Sequence, residues 1–380
     1  MNWIALRMLT GDRSKYLGLI FGVTFATLLM AQQVSIFMGI LTRTGNQILE
    51  VRDADLWVMD NRVRYIDEAP GLQDTDLMRV RGVPGVAWAV RFYTGTIRAR
   101  LEDGNTRNVH LVGLDDATLV GAPQEMIVGK VDDLKRPDAV IIDKAGYEYM
   151  WGQEPYQLGR AFQINDHRAV LVGVCKVAPP FFSDPIVYVR YRQAGGYVPR
   201  ERTLMNYILV KPREGVDHQE LCHGIEERTG RVALTRWQFF WKTVRYFLGS
   251  TGIPVNFGIT ISLGFIVGAV VTGQTLYLFT LDNLKQFGAL KAMGIPNRGI
   301  LRMILLQALL VGGVGYGLGV GLTALFFITT SANLTQLAGM HMNWMAFVGT
   351  GLAIVIIVIA TSLVSARRVL VLEPAIVFRG

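Results

Sequence analysis

Between Arg302 and Arg367 lie 64 residues without a lysine, arginine, aspartate or glutamate. A soluble domain has to put charge on its surface far more often, whereas 18 or more consecutive apolar residues can cross a bilayer as a helix. This gap holds two such helices, read at 303–329 and 344–366, with "TTSANLTQLAGMHMN" as the turn between them. Two further uncharged runs bring the number to four. "LGLIFGVTFATLLMAQQVSIFMGIL", 25 residues between Lys15 and Arg43, reaches ~38 Å as a helix, more than the roughly 30 Å hydrocarbon thickness. It predicts a first span over 17–42. The run between Arg245 and Asp282 predicts a second over 253–280. The 51% hydrophobic content and mean hydropathy of +0.32 are concentrated in these stretches. Arg7, Arg13 and Lys15 precede the first run as they would in a signal peptide, but its apolar stretch is too long for one, so an uncleaved anchor is expected. Gln32 and Gln33 are expected to face another helix or the outer interface.

The formal charge of +8 is unevenly placed. Residues 44–244 carry 26 basic and 27 acidic side chains, while 1–16, 282–302 and 367–380 together carry 10 basic and 3 acidic. Short loops rich in Lys and Arg stay in the cytoplasm, and long domains cross whatever their charge. The expected layout is an inner-membrane protein with cytoplasmic segments at 1–16, 281–302 and 367–380 and a periplasmic domain at 43–245. Nothing in this distribution forms the basic, groove-reading patch of a nucleic-acid binder. Cys175 and Cys222 both fall in the outer domain, where a disulfide is permitted; burial as small apolar residues is the commoner outcome, and both stay open.

The outer domain reads as short β-rich runs, "ADLWVMD", "AWAVRFYTGTIRARLEDG", "NVHLVGLD", "DAVIID", "RAVLVGVCKV", "PIVYVRY" and "NYILVKP", interleaved with helices from Asp74 and before Gly230. An α+β domain follows. Candidate chemistry is sparse. "MIVGKV" at 126–131 lacks the Ser or Thr and the first glycine of a phosphate-binding loop, and is read as a turn. Asp115, Asp116, Asp132 and Asp133 read as solvated loop residues, and His110, His167 and His218 lack metal-ligand spacing. "VAPPFFSDPIVYV" at 177–189 could meet a partner or pack locally. No nucleophile, base and orienter stand at recognisable spacing, and no catalytic, cofactor or metal residue is assigned.

Two motifs in the membrane half carry more. Gly313, Gly317 and Gly321 recur every four residues, a pattern that lets helices approach closely in lipid, and Gly264 with Gly268 could supply the matching surface; Gly315 and Gly319 make a second strip. No span holds an ionisable residue for an ion relay. In "LDNLKQFGALKAMGIPNRGILRMI", residues 281–304, Leu284, Phe287, Leu290 and Met293 follow a helical period that Gly294 and Pro296 end, and the next helix starts from a cap at Asn297. Such a stripe can lie on lipid or dock into a groove on a soluble partner.

"LKQFGALKAMGIPNRGILRMILLQALLVGGVGYGLG", the tail "SARRVLVLEPAIVFRG" and the layout of one anchor, a large outer domain and three more spans resemble permeases of the MacB/FtsX superfamily of ABC transporters, closest to the DevC-like permeases. The resemblance implies that Leu284, Phe287, Gly288, Leu290, Lys291, Met293 and Gly294 face a nucleotide-binding subunit; Gln286 stands where relatives often have Glu. No complete Walker motif occurs here, so the resemblance implies a separate ATPase in two copies, holding ATP and Mg. It also implies a second copy of this chain, a periplasmic adaptor, an outer-membrane channel and an amphiphilic or lipid-like substrate. The motion of the ATPases would pass through the spans to the outer domain. A lipoprotein-releasing permease, or an FtsX-like regulator of a periplasmic hydrolase, would share this layout.

Overall fold

The computed structural model describes residues 2–11, 13–181, 184–198, 205–333, 340 and 342–371. The chain divides into two compact units, one spanning Ile40–Thr251 and one built from the helices before and after it. It opens with α1 (Asn2–Gly11) and α2 (Arg13–Arg43). The αβ unit then follows as α3 (Asn46–Glu50), β1 (Leu56–Met59), α4 (Asp74–Arg81), β2 (Val86–Arg100), β3 (Thr106–Leu114), β4 (Glu125–Val128), β5 (Ala139–Asp143), α5 (Lys144–Trp151), β6 (Ala161–Ile164), β7 (His167–Lys176), β8 (Ile186–Arg190), α6 (Tyr191–Tyr197), β9 (Tyr207–Pro212), α7 (His218–Thr229), β10 (Val232–Thr235) and α8 (Arg236–Ser250). The chain continues through α9 (Ile253–Asp282), α10 (Leu284–Ala292), α11 (Asn297–Asn333) and α12 (Trp344–Val371).

The strands form one mixed sheet in the order β10-β1-β9-β2-β3-β8-β5-β7-β4, with β6 bonded to both β2 and β7. Strands β2, β3, β8, β5, β7 and β6 therefore close into a ring. Pairs β3/β8 and β5/β7 are parallel and the others antiparallel. Because side chains alternate along a strand, each strand feeds two cores. Val140, Ile142, Val187 and Val189 join the core inside the ring, while Ala139, Ile141, Ile186 and Tyr188 join the one outside it. The same alternation splits β1: Trp57 and Met59 point to the second core, Leu56 and Val58 to a third under α4 and α7. Strand β2 is long enough to serve twice, pairing with β9 through Val86–Phe92 and with β3 through Tyr93–Arg100.

The α+β expectation holds, with local corrections. In "MIVGKV" residues Met126 and Val128 are part of β4, paired to Cys175 and Val174, and the turn is confined to Gly129 and Lys130. "PIVYVRY" leaves the sheet at Arg190, and Tyr191 begins α6. Cys175 and Cys222 are free thiols buried in different cores, which leaves no disulfide between them. Burial pushes the Cys222 thiol up to about 12 and the Cys175 thiol higher still.

Among the described residues four helices are long and apolar enough to cross a membrane: Tyr16–Arg43, Ile253–Asp282, Asn297–Thr330 and Trp344–Val371. The first five residues of the turn expected at 329–343 instead continue α11 to Asn333; residues 334–339 and 341, and the tail beyond residue 371, lie outside the described residues. Glycines set the packing, though not all of those expected. A Cβ on Gly268 would stand 2.5 Å from Ala26 Cβ, and one on Gly264 3.2 Å from Met30 Cγ, so this pair receives α2. Gly313, Gly317 and Gly321 face outward, with open space where a Cβ would be. The neighbouring strip does the packing: Gly319 would meet Thr27 Cβ at 2.5 Å and Gly315 Val23 Cβ at 2.7 Å. Spacing defines a strip, but only the position of the large residues decides which strip turns inward. Here Leu318 and Leu322 point out beside Gly317 and Gly321. We expect Gly319→Leu to destabilise the helical unit by about 1–3 kcal/mol through overpacking, and Gly317→Leu to change stability by less than about 0.5 kcal/mol. Thermal unfolding in detergent reads both.

Candidate functional site

Helix α10 is built to be held. It follows α9 after a single break at Asn283, whose side-chain amide donates to the Phe279 carbonyl at 2.8 Å and so closes the end of α9. At its other end the Gly294 N–H donates to the Lys291 carbonyl at 2.9 Å and the Ile295 N–H to the Leu290 carbonyl at 3.2 Å, a Schellman closure. This requires the left-handed φ of +87° that Gly294 adopts. Ile295 and Leu290 belong to one apolar cluster, the contact that accompanies this motif.

That cluster corrects the assignment of the stripe. Phe287, Gly288 and Leu290 are buried in the chain's own helices, where Phe287 and Leu290 cluster with Ala5 of α1, Ile300 and Ile304 of α11, and Ala366 and Val369 of α12. They cannot meet a partner directly. Leu284 is half-buried on the same cluster, and Lys291 Nζ donates to the Leu370 carbonyl at 2.8 Å. Of the residues expected to face a second subunit, only Met293, 72% exposed, and Gly294 are open to one, flanked by exposed Lys285, Gln286 and Ala292. The periodicity located the stripe, but a stripe looks the same whether the chain's own helices or another protein cover it. The role of α1 went unread: Gln307 Nε2 donates to the Ala5 carbonyl at 2.8 Å, seating α1 beside α11. Its signal was the spacing of Ala5, Met8 and Leu9, one helical face.

Polar groups in the αβ unit are committed to structure. Asp115 accepts from the Ala117 and Thr118 N–H groups, Asp132 and Asp133 pair with Lys135 and Arg136, and Asp116 accepts from the Arg192 N–H. His110 is buried; its Nε2 lies 2.7 Å from Thr94 Oγ1 and 3.0 Å from Gln47 Oε1, and burial holds its pKa down. A cavity of about 630 Å³ opens beside Thr94, lined by Asp67, Arg98 and Asn206 on the polar side and by Tyr93, Ile97 and Val198 on the apolar side. No group of three metal-ligating side chains occurs among the described residues. In "VAPPFFSDPIVYV" the Ala178 N–H donates to Glu50, the Pro179 carbonyl accepts from Asn46, and Phe181 packs on Phe247, so this stretch is held locally; Phe182 and Ser183 lie outside the described residues.

Asp143 caps α5 while 3% exposed, accepting from the Gly146 N–H at 3.1 Å and the Ile186 N–H at 2.7 Å. Burial outweighs these bonds and raises its pKa to about 6. A folded-state pKa above the unfolded one gives stability that is complete below about pH 4 and is lost as pH rises through about 6. Between pH 7.5 and 5 the αβ unit should gain about 1 kcal/mol from this group. Asp143→Asn should remove that gain in denaturant titrations at the two pH values.

The MacB-like periplasmic core domain profile matches residues 16–227, more than half the chain, and the FtsX-like permease C-terminal profile matches residues 258–374. An uncharacterized ABC transporter permease of Mycobacterium tuberculosis is 24% identical over 314 residues, 81% of this chain and 79% of that protein. Another, from Mycobacterium bovis, is 34% identical over 120 residues, and the match spans 30% of this chain and only 32% of its relative. Among solved structures, the periplasmic region of MacB from Actinobacillus actinomycetemcomitans aligns at 13% identity and TM-score 0.38, over 54% of this chain and 96% of that one. The extracellular domain of the noncanonic ABC-type transporter YknZ from Gram-positive bacteria aligns at 15% and 0.36, over 48% and 98%. Four spans, an α/β domain between the first and second, and two profiles that together cover most of the sequence lead to one conclusion: the chain belongs to the MacB/FtsX family of ABC transporter permeases.

Proposed function

We propose that this chain is the permease subunit of an ATP-driven exporter, acting as two copies on two copies of a separate ATPase. The single observation that carries this reading is the seating of α10. A short helix clamped by α1, α11 and α12, with Met293 and Gly294 open at its tip, can receive a push and pass it to the spans as a rigid piece. The basic charge of 1–16, 282–302 and 367–380 supports a cytoplasmic position for that tip, and the near-neutral 44–244 a periplasmic position for the αβ unit. In this mechanism ATP is hydrolysed on the partner, the glycine-packed spans move as rods, and the αβ unit changes shape to drive an amphiphilic or lipid-like substrate outward. A periplasmic adaptor and an outer-membrane channel complete the route. Transport needs no ionisable relay within the bilayer, consistent with spans that lack one.

The test is reconstitution with the co-encoded ATPase and measurement of its turnover with and without this chain and candidate amphiphiles. Stimulation by both the permease and an amphiphile is expected. Turnover indifferent to the permease would reject coupling. Stimulation by a cell-wall hydrolase instead of any amphiphile would make the chain a regulator.

A further inference from the structure

Helix α8 turns two unlike faces outward and inward. Phe239, Phe240, Val244 and Phe247 are buried in the αβ unit, while Trp237, Trp241 and Leu248 stand 57%, 50% and 41% exposed. With exposed Arg245 they follow one another at intervals of four, four and three residues, so they form a single stripe down the helix. Arg236, Lys242 and Arg245 supply three cations, and the helix contains no aspartate or glutamate. Two large aromatic rings left in water are costly, and none of the described residues of the unit covers them. They are also held stiffly: Phe240 meets both rings edge-on, at 5.6 and 5.4 Å between centroids.

The position of the helix in the chain says what the stripe faces. Only Thr251 and Gly252 separate its last residue from Ile253, where a membrane-crossing helix begins. Its middle is tied to the other crossing as well: Gly45, two residues after the end of α2, lies against the Phe240 ring so closely that a Cβ there has no room. Both points where the αβ unit joins the bilayer thus converge on α8. Tryptophan is enriched at the level of the headgroups, and Lys and Arg beside it attract anionic lipid. We infer that the Trp237–Trp241–Leu248 stripe of α8 is seated in the membrane–water interface on the side of the αβ unit, against a surface containing anionic lipid.

The experiment uses the full chain in nanodiscs of mixed neutral and anionic phospholipid. Single cysteines replace Trp237, Trp241 or Leu248 and carry a nitroxide; Cys175 and Cys222 are buried and should stay unlabelled. Met78→Cys, at an equally exposed apolar position on α4, is the aqueous reference. At 237, 241 and 248, collisions with lipid-soluble oxygen should exceed those with a water-soluble nickel chelate, and at 78 the order should reverse. If the chelate reaches 241 as readily as 78, the stripe is in water and the inference fails. If both reagents are excluded, a protein surface covers it, and the inference fails equally. Because a cysteine at these sites could disturb the aromatic packing, the unlabelled chain gives a second reading. Brominated lipid should quench part of its tryptophan emission, and Trp237→Phe with Trp241→Phe should reduce that loss, the remainder coming from exposed Trp3 and Trp344. Quenching unchanged by the double substitution overturns the assignment.

Discussion

Phe287→Asp is expected to release α10 from the helical unit and abolish stimulation of the partner ATPase, while Met293→Asp leaves α10 seated and weakens only assembly with the partner. The two positions are six residues apart on one helix and its cap, but Phe287 is fully buried and Met293 is 72% exposed. Truncating a buried phenylalanine costs about 3–5 kcal/mol from lost transfer energy and the cavity left behind. A carboxylate in its place adds the cost of a buried charge without a partner, since Ala5, Ile300, Ile304, Ala366 and Val369 offer it no donor side chain. That penalty exceeds what a nine-residue helix can hold by itself, because an isolated helix of this length is marginal in water. Hydrogen exchange should show residues 284–292 losing protection in Phe287→Asp and keeping it in Met293→Asp. Retained protection in the first variant would mean that the cluster around α10 does not hold it. Undiminished assembly in the second would move the partner's contact away from the tip of α10.

Arg231→Ala should destabilise the αβ unit by about 3 kcal/mol. Arg231 donates to Asp60 Oδ2 at 2.5 Å through one terminal nitrogen, and to both carboxylate oxygens of Asp76 at 3.2 Å through its other two. The carboxylate side chains are 9% and 4% exposed. Removing the guanidinium leaves two buried negative charges, and among the described residues only Asp60 has another cation, the exposed Arg62 at 2.9 Å. The estimate sits at the low end for a broken buried pair because Arg231 is itself 28% exposed. Arg231→Lys should recover only part of the loss, since a single ammonium cannot reproduce the fork that bridges two carboxylates. Thermal unfolding of the three proteins in one detergent ranks them, and equal midpoints would show the pairs to be ornamental at the surface.

What could be read from the sequence followed from patterns that the chain's own chemistry makes unambiguous. Four spans are legible because a helix in lipid must exclude charge over some 20 residues; the apolar helix read from 303 starts at Asn297, and the one read to 366 runs to Val371, because a helix continues past the apolar stretch that reveals it. Strands such as Val140–Ile142 and Ile208–Val210 were legible from their unbroken β-branched and aliphatic runs, which a strand buried on both faces needs. Strands β4, β6 and β10, four residues each, carry too little pattern to rise above their loops, and the order of the sheet depends on long-range pairings that no local pattern encodes. The coupling segment was found from its period, and the glycine strips from theirs. Both were misdirected at the next step for one reason: periodicity gives a face, and only tertiary packing says what covers it. Phe287 and Leu290 turn to the chain's own helices, and Gly315 and Gly319, not Gly317 and Gly321, receive α2.

Strand β2 makes a single thread of what would otherwise be two small structures. Its first half is stitched to β9 and its second to β3, and β6 closes the ring against its end. A slip of one residue would turn Val90 and Phe92 out of one core and Tyr93 and Ala99 out of another at the same moment. Neither half can loosen while the other stays intact, so the αβ unit should melt in one step, and a pull applied at one end of that strand is felt at the other before any bond has broken.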